Sequence, residues 1–346
     1  PVGSYLSGGV DSSAIVSIMS DSQNSPVNTY TIGLKDENEF DYAKIISQRY
    51  STTHHEMIVT PDDYLSATHK MISYKDAPLG VPNEVFLYLM SKELKNKASV
   101  VLTGEGADEI FGGYGRIFRS TDDYIKSVKL SNGNYHGLTE SNIKQSLYDT
   151  YGRIKFSSEL DHFMQKYQYI SFKEKKNMFS NDIDIDLIEE EIRRPFRDAF
   201  NEVSEYNYMS KIMYVFEKLH LPVLLNRVDS ATMAASVEAR VPFVDHRLVE
   251  FAFSIPNKYK LKWLTDPSSV QELMGDKISE KYDTPKYILK KSLEARIPNK
   301  ILYRRKVGFP VPIDKIMLEK NKKMVRDLIM DGAMLKKVFD RKEIES

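Results

Sequence analysis

The chain has 346 residues, with 49 Lys and Arg balanced by 49 Asp and Glu, and no Cys. This length allows one large domain or two ordinary ones, and the zero formal charge argues against a strongly basic nucleic-acid binder. The missing thiols exclude disulfides, thiolate zinc sites and cysteine nucleophiles. No apolar run reaches the roughly 20 residues of a membrane span, and no signal peptide is visible, so the cytosol is the expected location.

In chain order, residues 2–6 are short and apolar and predict a buried strand that begins almost as soon as the chain does. A domain seldom starts inside its own central strand, so a further segment upstream is expected. "SGGVDSS" (7–13) follows, then an apolar helical face of Ala14, Ile15, Val16, Ile18 and Met19, with Ser12 and Ser13 suited to capping. Strands are predicted at 27–32, 55–59 and 100–102, and helices at 39–50, 64–74 and 84–97. This alternation predicts an α/β fold, a parallel sheet flanked by helices, over residues 1–114. Residues 115–205 are polar and rich in Tyr and Lys, and are expected to form a variable, mainly helical insertion. Helical apolar spacing returns over 206–346, interrupted by "VGFPVPI" (307–313), which must be loop or extended.

Ligands of open parallel sheets sit beyond the carboxyl ends of the strands at the switch point, so the loops after the first and fourth strands matter most. The first is neither a Walker A loop nor a dinucleotide G-x-G-x-x-G. Its glycines can turn N–H groups toward one point at a helix N-terminus, which favours an anion. A plain strand-to-helix turn is the competing reading. Asp11 inside a phosphate nest would require a cation, and Mg²⁺ accepts a few carboxylates together with phosphate oxygens. The second loop, "LTGEGADEIFGGY" (102–114), supplies Glu105, Asp108 and Glu109 among Gly104, Gly106, Gly112 and Gly113. If the two strands are neighbours, Asp11 and Asp108 can share one metal ion, with Glu105 facing the same cleft. Helix capping is the alternative for Asp108.

Other motifs read more plainly. "THHE" (53–56) lacks the histidine spacing of a zinc motif. "DIDIDLIEEEIRR" (182–194) reads as a solvated helix with an acidic start. His220 reads as a satisfied helix-end histidine.

Four blocks carry a family resemblance. "SGGVDSS" resembles the loop of ATP pyrophosphatases, and "LTGEGADEIFGGY" closely resembles the matching loop of asparagine synthetases. "LNRVDSATMAASVEARVPFVDHRLVEFA" (225–252) and "PKYILKKSLEARIPNKILYRRKVGFPVP" (285–312) match two more of their signatures. The resemblance runs from residue 1 to about 315 and is weakest over 115–205. It implies the synthetase half of a glutamine-dependent asparagine synthetase, with an adenine nucleotide alpha hydrolase-like (HUP-type) core and a helical elaboration. In that family ATP adenylates the side-chain carboxylate of aspartate, pyrophosphate leaves, and ammonia displaces AMP. Carried over by position, Ser7, Gly8, Gly9, Ser12, Ser13 and Gly104 would form the ATP site, with backbone groups near Ile32 and Gly33 reading adenine. Asp11 and Asp108 would hold Mg²⁺, Glu105 would be the base, and Lys286 and Lys306 would contact phosphates. Arg227, Asp229, Glu238, Arg240 and Asp245 lie in the third block. Such a cluster either orients the substrate or ties helices together, and the second reading suits most of its members.

Two departures qualify what the resemblance implies. The family's glutaminase domain begins with cysteine, and this chain has none, so ammonia would come free or from a missing N-terminal domain. In "KDAPLGVPNEV" (75–85), Ala77 stands where the family commonly has an acid, leaving the acceptor open between aspartate and another carboxylate such as a uronic-acid sugar. Lactam ring closure, known in relatives, ranks low for want of a suitably placed tyrosine. A non-catalytic nucleotide-binding homologue is the reading from another class, and intact Glu105, Asp11, Asp108 and Lys306 speak against it. A homodimer is compatible with the sequence, which gives no direct signal for it.

Overall fold

The computed structural model describes residues 1–180, 182–308, 311–319, 321–340 and 342. Phe309 and Pro310, within the predicted 307–313 loop, lie outside the described residues. The chain folds into two compact units, each assembled from three separate stretches.

The first unit comprises residues 1–111, 221–256 and 286–321. Its centre is a parallel sheet of β1 (Val2–Tyr5), β2 (Asn28–Gly33), β3 (Thr53–Ile58), β4 (Val100–Leu102) and β5 (Glu238–Arg240), in the order β3-β2-β1-β4-β5. Every pairing is parallel, with Ser4 opposite Thr29 on one side and Leu102 on the other. The order reverses direction at β1, so β1 and β4 flank the switch point where a crevice opens beyond the strand ends. The first and fourth predicted strands are therefore neighbours, and the α/β expectation holds.

Helices cover both faces of this sheet. On one face α3 (Pro61–Lys75), α4 (Asn83–Leu94) and the Leu221–Met233 helix bury Met71, Phe86, Met90 and Val228 against Tyr5, Tyr30 and Val101. On the other, α1 (Val10–Ser22), α2 (Phe40–Tyr50) and α5 (Ala107–Phe111) pack Ile15, Val16, Ile46 and Ile110 with Leu6 and Val27. Local signals set the helix ends: Thr60 and Asp63 form a capping box and Pro61 opens α3. The expected caps on α1 are corrected. Gly9 holds the N-cap position without any side-chain bond, and Ser12 and Ser13 lie inside the first turn. The Ser12 hydroxyl instead accepts the Ser7 N–H at 3.2 Å.

The predicted third strand starts two residues earlier than expected, placing the THHE histidines within β3. There His54 Nδ1 pairs with Thr29 Oγ1 at 2.9 Å and His55 Nε2 with Asn28 Oδ1 at 3.2 Å. β5 escaped sequence reading because its three residues, Glu-Ala-Arg, carry no apolar run.

The second unit comprises residues 112–220, 257–285 and 322–346. Its helices gather Phe118, Phe163, Phe200, Ile212, Met213 and Phe216 into one core and Leu130, Ile143, Leu147 and Met274 into another. The Ile185–Glu202 helix opens on Asp184, whose carboxylate accepts the Leu187 N–H, and exposes Glu190–Arg197 and Glu191–Arg194 pairs. That is the solvated helix expected of the acidic run. His220 Nδ1 is bonded to the Tyr167 hydroxyl at 2.8 Å. No helix among the described residues is long and apolar enough to cross a membrane.

Candidate active site

The loop after β1 is a built nest. Gly8 has φ +68°, and a Cβ there would lie 2.4 Å from the Tyr42 carbonyl carbon, so both the backbone and the packing demand glycine. The Gly9 N–H donates to Ser7 Oγ at 3.2 Å, and that hydroxyl lies 3.2 Å from Ser12 Oγ. Among the described residues the buried Ser13 hydroxyl has no hydrogen-bond partner. Gly104 lets the loop after β4 ride against α1, because a Cβ there would fall 2.7 Å from Asp11 Cβ. The two loops singled out in the sequence thus meet at the switch point.

Charged groups fill the meeting place in two sets. Lys286 Nζ lies 2.6 Å from Asp11 Oδ2 and 2.8 Å from Asp108 Oδ1, while Lys306 Nζ donates to the same Asp108 oxygen at 2.6 Å. Beside them Arg227 Nη2 donates to Glu105 Oε1 at 2.6 Å, and its Nη1 reaches Asn83 Oδ1 at 3.4 Å. Lys286 is 5% exposed and has φ +54°, a left-handed conformation that disfavours side chains by about 1–2 kcal/mol. Strain of this kind clusters at functional sites.

The titration of these groups follows from burial and pairing. Burial raises the Asp11 carboxyl above its usual range, against the pull of Lys286. At Asp108 burial acts the same way, but Lys286 and Lys306 overcome it and hold the carboxyl well below the usual range. Burial opposes the charge on Lys286, yet Asp108 and Asp11 raise its pKa above the ordinary lysine value. Burial also raises Glu105, with Arg227 opposing and Asp108 and Asp11 adding to the rise.

Of the two cation ligands suggested by the sequence, Asp11 and Asp108, each has one carboxylate oxygen on Lys286. Among the described residues, buried Asp11 Oδ1 has no hydrogen-bond partner, an arrangement costly for a carboxylate unless something supplies positive charge. Among the described residues no three His, Asp or Glu side chains group as a self-sufficient metal site. Two carboxylates suit an ion that takes its remaining ligands from phosphate and water.

Not every candidate joins the site. The Tyr30 carbonyl accepts the Leu6 N–H, and the Gly33 carbonyl accepts the Val59 N–H at 3.0 Å. Backbone groups alternate sides along a strand, so Ile32 directs its N–H and C=O toward the β1 side, past the end of β1. The Gly33 carbonyl is committed to β3-side bonding, and a Cβ on Gly33 would meet Asn38 Cβ at 2.5 Å. Asp229 is exposed on the helix that carries Arg227. Glu238 and Arg240 pair with each other at 2.9 Å on exposed β5, and Asp245 pairs with Arg247.

The structure adds residues the motifs did not flag. Glu84 is 1% exposed; its Oε1 accepts the Gly80 and Val81 N–H groups at 2.7 and 3.2 Å, and its Oε2 accepts Lys75 Nζ at 2.6 Å. The Tyr64 hydroxyl donates to the Pro82 carbonyl at 2.8 Å, so the segment leading to Asn83 is pinned twice. Glu84 lies seven residues beyond Ala77 in the same segment, and its burial leaves no mark in the sequence.

Residues 1–346 match the family described as Asparagine synthase. Asparagine synthetase [glutamine-hydrolyzing] 1 of Bacillus subtilis is 31% identical over 96% of this chain and 50% of its own length. Asparagine synthetase [glutamine-hydrolyzing] 3 of the same organism is 28% identical over 90% of this chain and 45% of its own. Amidase chyE of Penicillium rubens is 22% identical over 90% of this chain and 49% of its own. The chain therefore spans about half the length of these curated relatives. With its signature loops meeting at the switch point and the family match running end to end, the chain belongs to the asparagine synthase family.

Proposed function

We propose that this chain is the synthetase part of an enzyme that amidates aspartate to asparagine through a β-aspartyl-AMP intermediate. The observation that carries the reading is the array Asp11–Lys286–Asp108–Lys306 at the switch point, with Glu105 and Arg227 beside it. The nest of residues 7–13, with Gly104 behind it, receives the triphosphate of ATP, and the Ile32 backbone, directed past the end of β1, would read adenine. Asp11 and Asp108 would hold Mg²⁺, which when bound neutralises triphosphate charge.

In the first step an oxygen of the aspartate side-chain carboxylate bonds to the α-phosphorus, and the bond from that phosphorus to pyrophosphate breaks. Lys286, Lys306 and the nest N–H groups stabilise the charge gathering on the leaving pyrophosphate. In the second, ammonia bonds to the acyl carbon, the bond to AMP breaks, and Glu105 accepts a proton from nitrogen. Arg227 holds Glu105 in place and favours its ionised form. Without cysteine in these residues, ammonia arrives free or from a glutaminase domain outside this stretch. The names of the Bacillus relatives favour the second source.

Another acceptor carboxylate, such as that of a uronic-acid sugar, is the second reading, motivated by Ala77 and by the pinned, Asn83-bearing segment in its place. The test is product analysis with ATP, Mg²⁺, ammonium and L-aspartate. AMP and asparagine are expected. ADP in place of AMP rules out adenylation, and AMP formation only with a different acid moves the assignment to that acceptor.

A further inference from the structure

Formal charge in the site is already balanced. Asp11 and Asp108 face Lys286 and Lys306, and Glu105 faces Arg227. A pyrophosphate group brings several negative charges, more than one divalent cation cancels. A further cation, itself paired with a carboxylate, stands at the nest. Arg304 Nη2 donates to Glu39 Oε1 at 2.6 Å, and the guanidinium carbon lies 4.2 Å from the centre of the Tyr42 ring. The same Nη2 is 3.9 Å from where a Cβ on Gly9 would sit. Tyr42 is the residue whose backbone closes on Gly8, so Glu39, Tyr42 and Arg304 form one wall of the nest.

That wall is expensive as a purely structural device. Both side chains of the Arg304–Glu39 pair are 13% exposed, and burial raises the Glu39 carboxyl despite its arginine partner. A buried ion pair is weak evidence for stability, whereas a planar fork stacked on an aromatic ring is well suited to phosphate. Arg304 also lies two residues before Lys306, on the strand of chain that already reaches Asp108.

We propose that Arg304 is a phosphate-binding residue of this site, contacting the pyrophosphate end of the nucleotide from the Gly8–Gly9 side of the nest. This rests on reading the nest as a phosphate pocket. Glu39 and Tyr42 pre-orient the guanidinium, so the fork is offered to phosphate oxygens at little further ordering cost.

Titration calorimetry with inorganic pyrophosphate and Mg²⁺ tests it on the intact chain. Arg304→Gln should weaken pyrophosphate binding about 10-fold or more, the loss of a charge-assisted hydrogen bond. Arg304→Lys should recover part of the loss, and Arg305→Gln, at the exposed neighbouring position, should leave binding as in the wild type. Because Arg304→Gln strands a buried Glu39, the double variant Glu39→Gln with Arg304→Gln supplies the folded control. Binding that stays weak in the double variant supports the proposal, and binding restored to wild-type strength overturns it. Wild-type binding retained by Arg304→Gln also overturns it while the phosphate reading of the nest stands. No pyrophosphate binding by the wild type removes that reading itself.

Discussion

The second unit and the switch-point site of the first both bury charge, and they do it in opposite ways. In the second, Asp123 is fully buried, yet its Oδ1 accepts the Gly275 N–H at 2.9 Å and its Oδ2 the Tyr151 hydroxyl at 2.8 Å. Arg119 likewise donates to Asp283 at 2.9 Å while stacking 3.8 Å over Trp263. Each of these carboxylates joins a helix to a distant segment and is satisfied by neutral donors together with one cation, as a structural network should be. In the first unit, two carboxylates share one lysine, a second lysine crowds the same oxygen, and Asp11 Oδ1 is left over. The lysine they share has a left-handed backbone. Burial alone does not mark a site. Incomplete satisfaction combined with strain does.

Substitutions separate the two arrangements. The largest effect is expected at Glu105→Gln, which should lower amide formation by about 10²–10⁴-fold and leave carboxylate-dependent ATP–pyrophosphate exchange near the wild-type rate. Equal loss of both would remove Glu105 as base of the second step. Lys286→Met should slow the exchange itself by about 10²–10³-fold, read in the same radiolabel assay. An unchanged rate would make the strained lysine merely structural.

Glu84→Ala should reduce stability by about 3–5 kcal/mol, since it leaves Lys75 and two N–H groups of its loop without their shared acceptor. Urea unfolding measures it, and a change under 1 kcal/mol would show the segment is held mainly by Tyr64.

The smallest effect is pH-dependent and belongs to the second unit. Burial pushes Asp123 up to about 6, against the pull of Lys126, the Tyr151 and Gly275 bonds, and Lys166. An unfolded aspartate titrates near about 3.9, so between these values the folded form binds the extra proton. Stability from this group is therefore present below about pH 4 and lost as pH rises through about 6. The melting temperature of the wild type relative to Asp123→Asn should rise by about 2–4 °C on going from pH 7 to pH 5. A difference independent of pH would contradict the assignment.

Sequence reading reached the sheet and the two loops because their signals are local. β1 and β4 are apolar runs followed by glycines and acids, whereas their adjacency was a condition that the observed strand order meets. It did not sort the third block. Arg227 reaches Glu105, whereas Asp229, two positions on, points about 200° away around the same helix. Glu238 and Arg240 share one face of a strand too short to announce itself, and so pair with each other. The Arg304–Glu39 and Lys75–Glu84 pairs were equally illegible. The first joins residues 265 apart in sequence and the second lies nine apart across a loop, and neither spacing carries a periodic signature.

The central claim is that the acceptor carboxylate attacks the α-phosphorus. Aspartate labelled with ¹⁸O in its side-chain carboxylate, turned over with ATP, Mg²⁺ and ammonium, tests that claim at the bond itself. One labelled oxygen is expected in the phosphate of AMP. Label appearing in inorganic phosphate, with ADP as the nucleotide product, would contradict it.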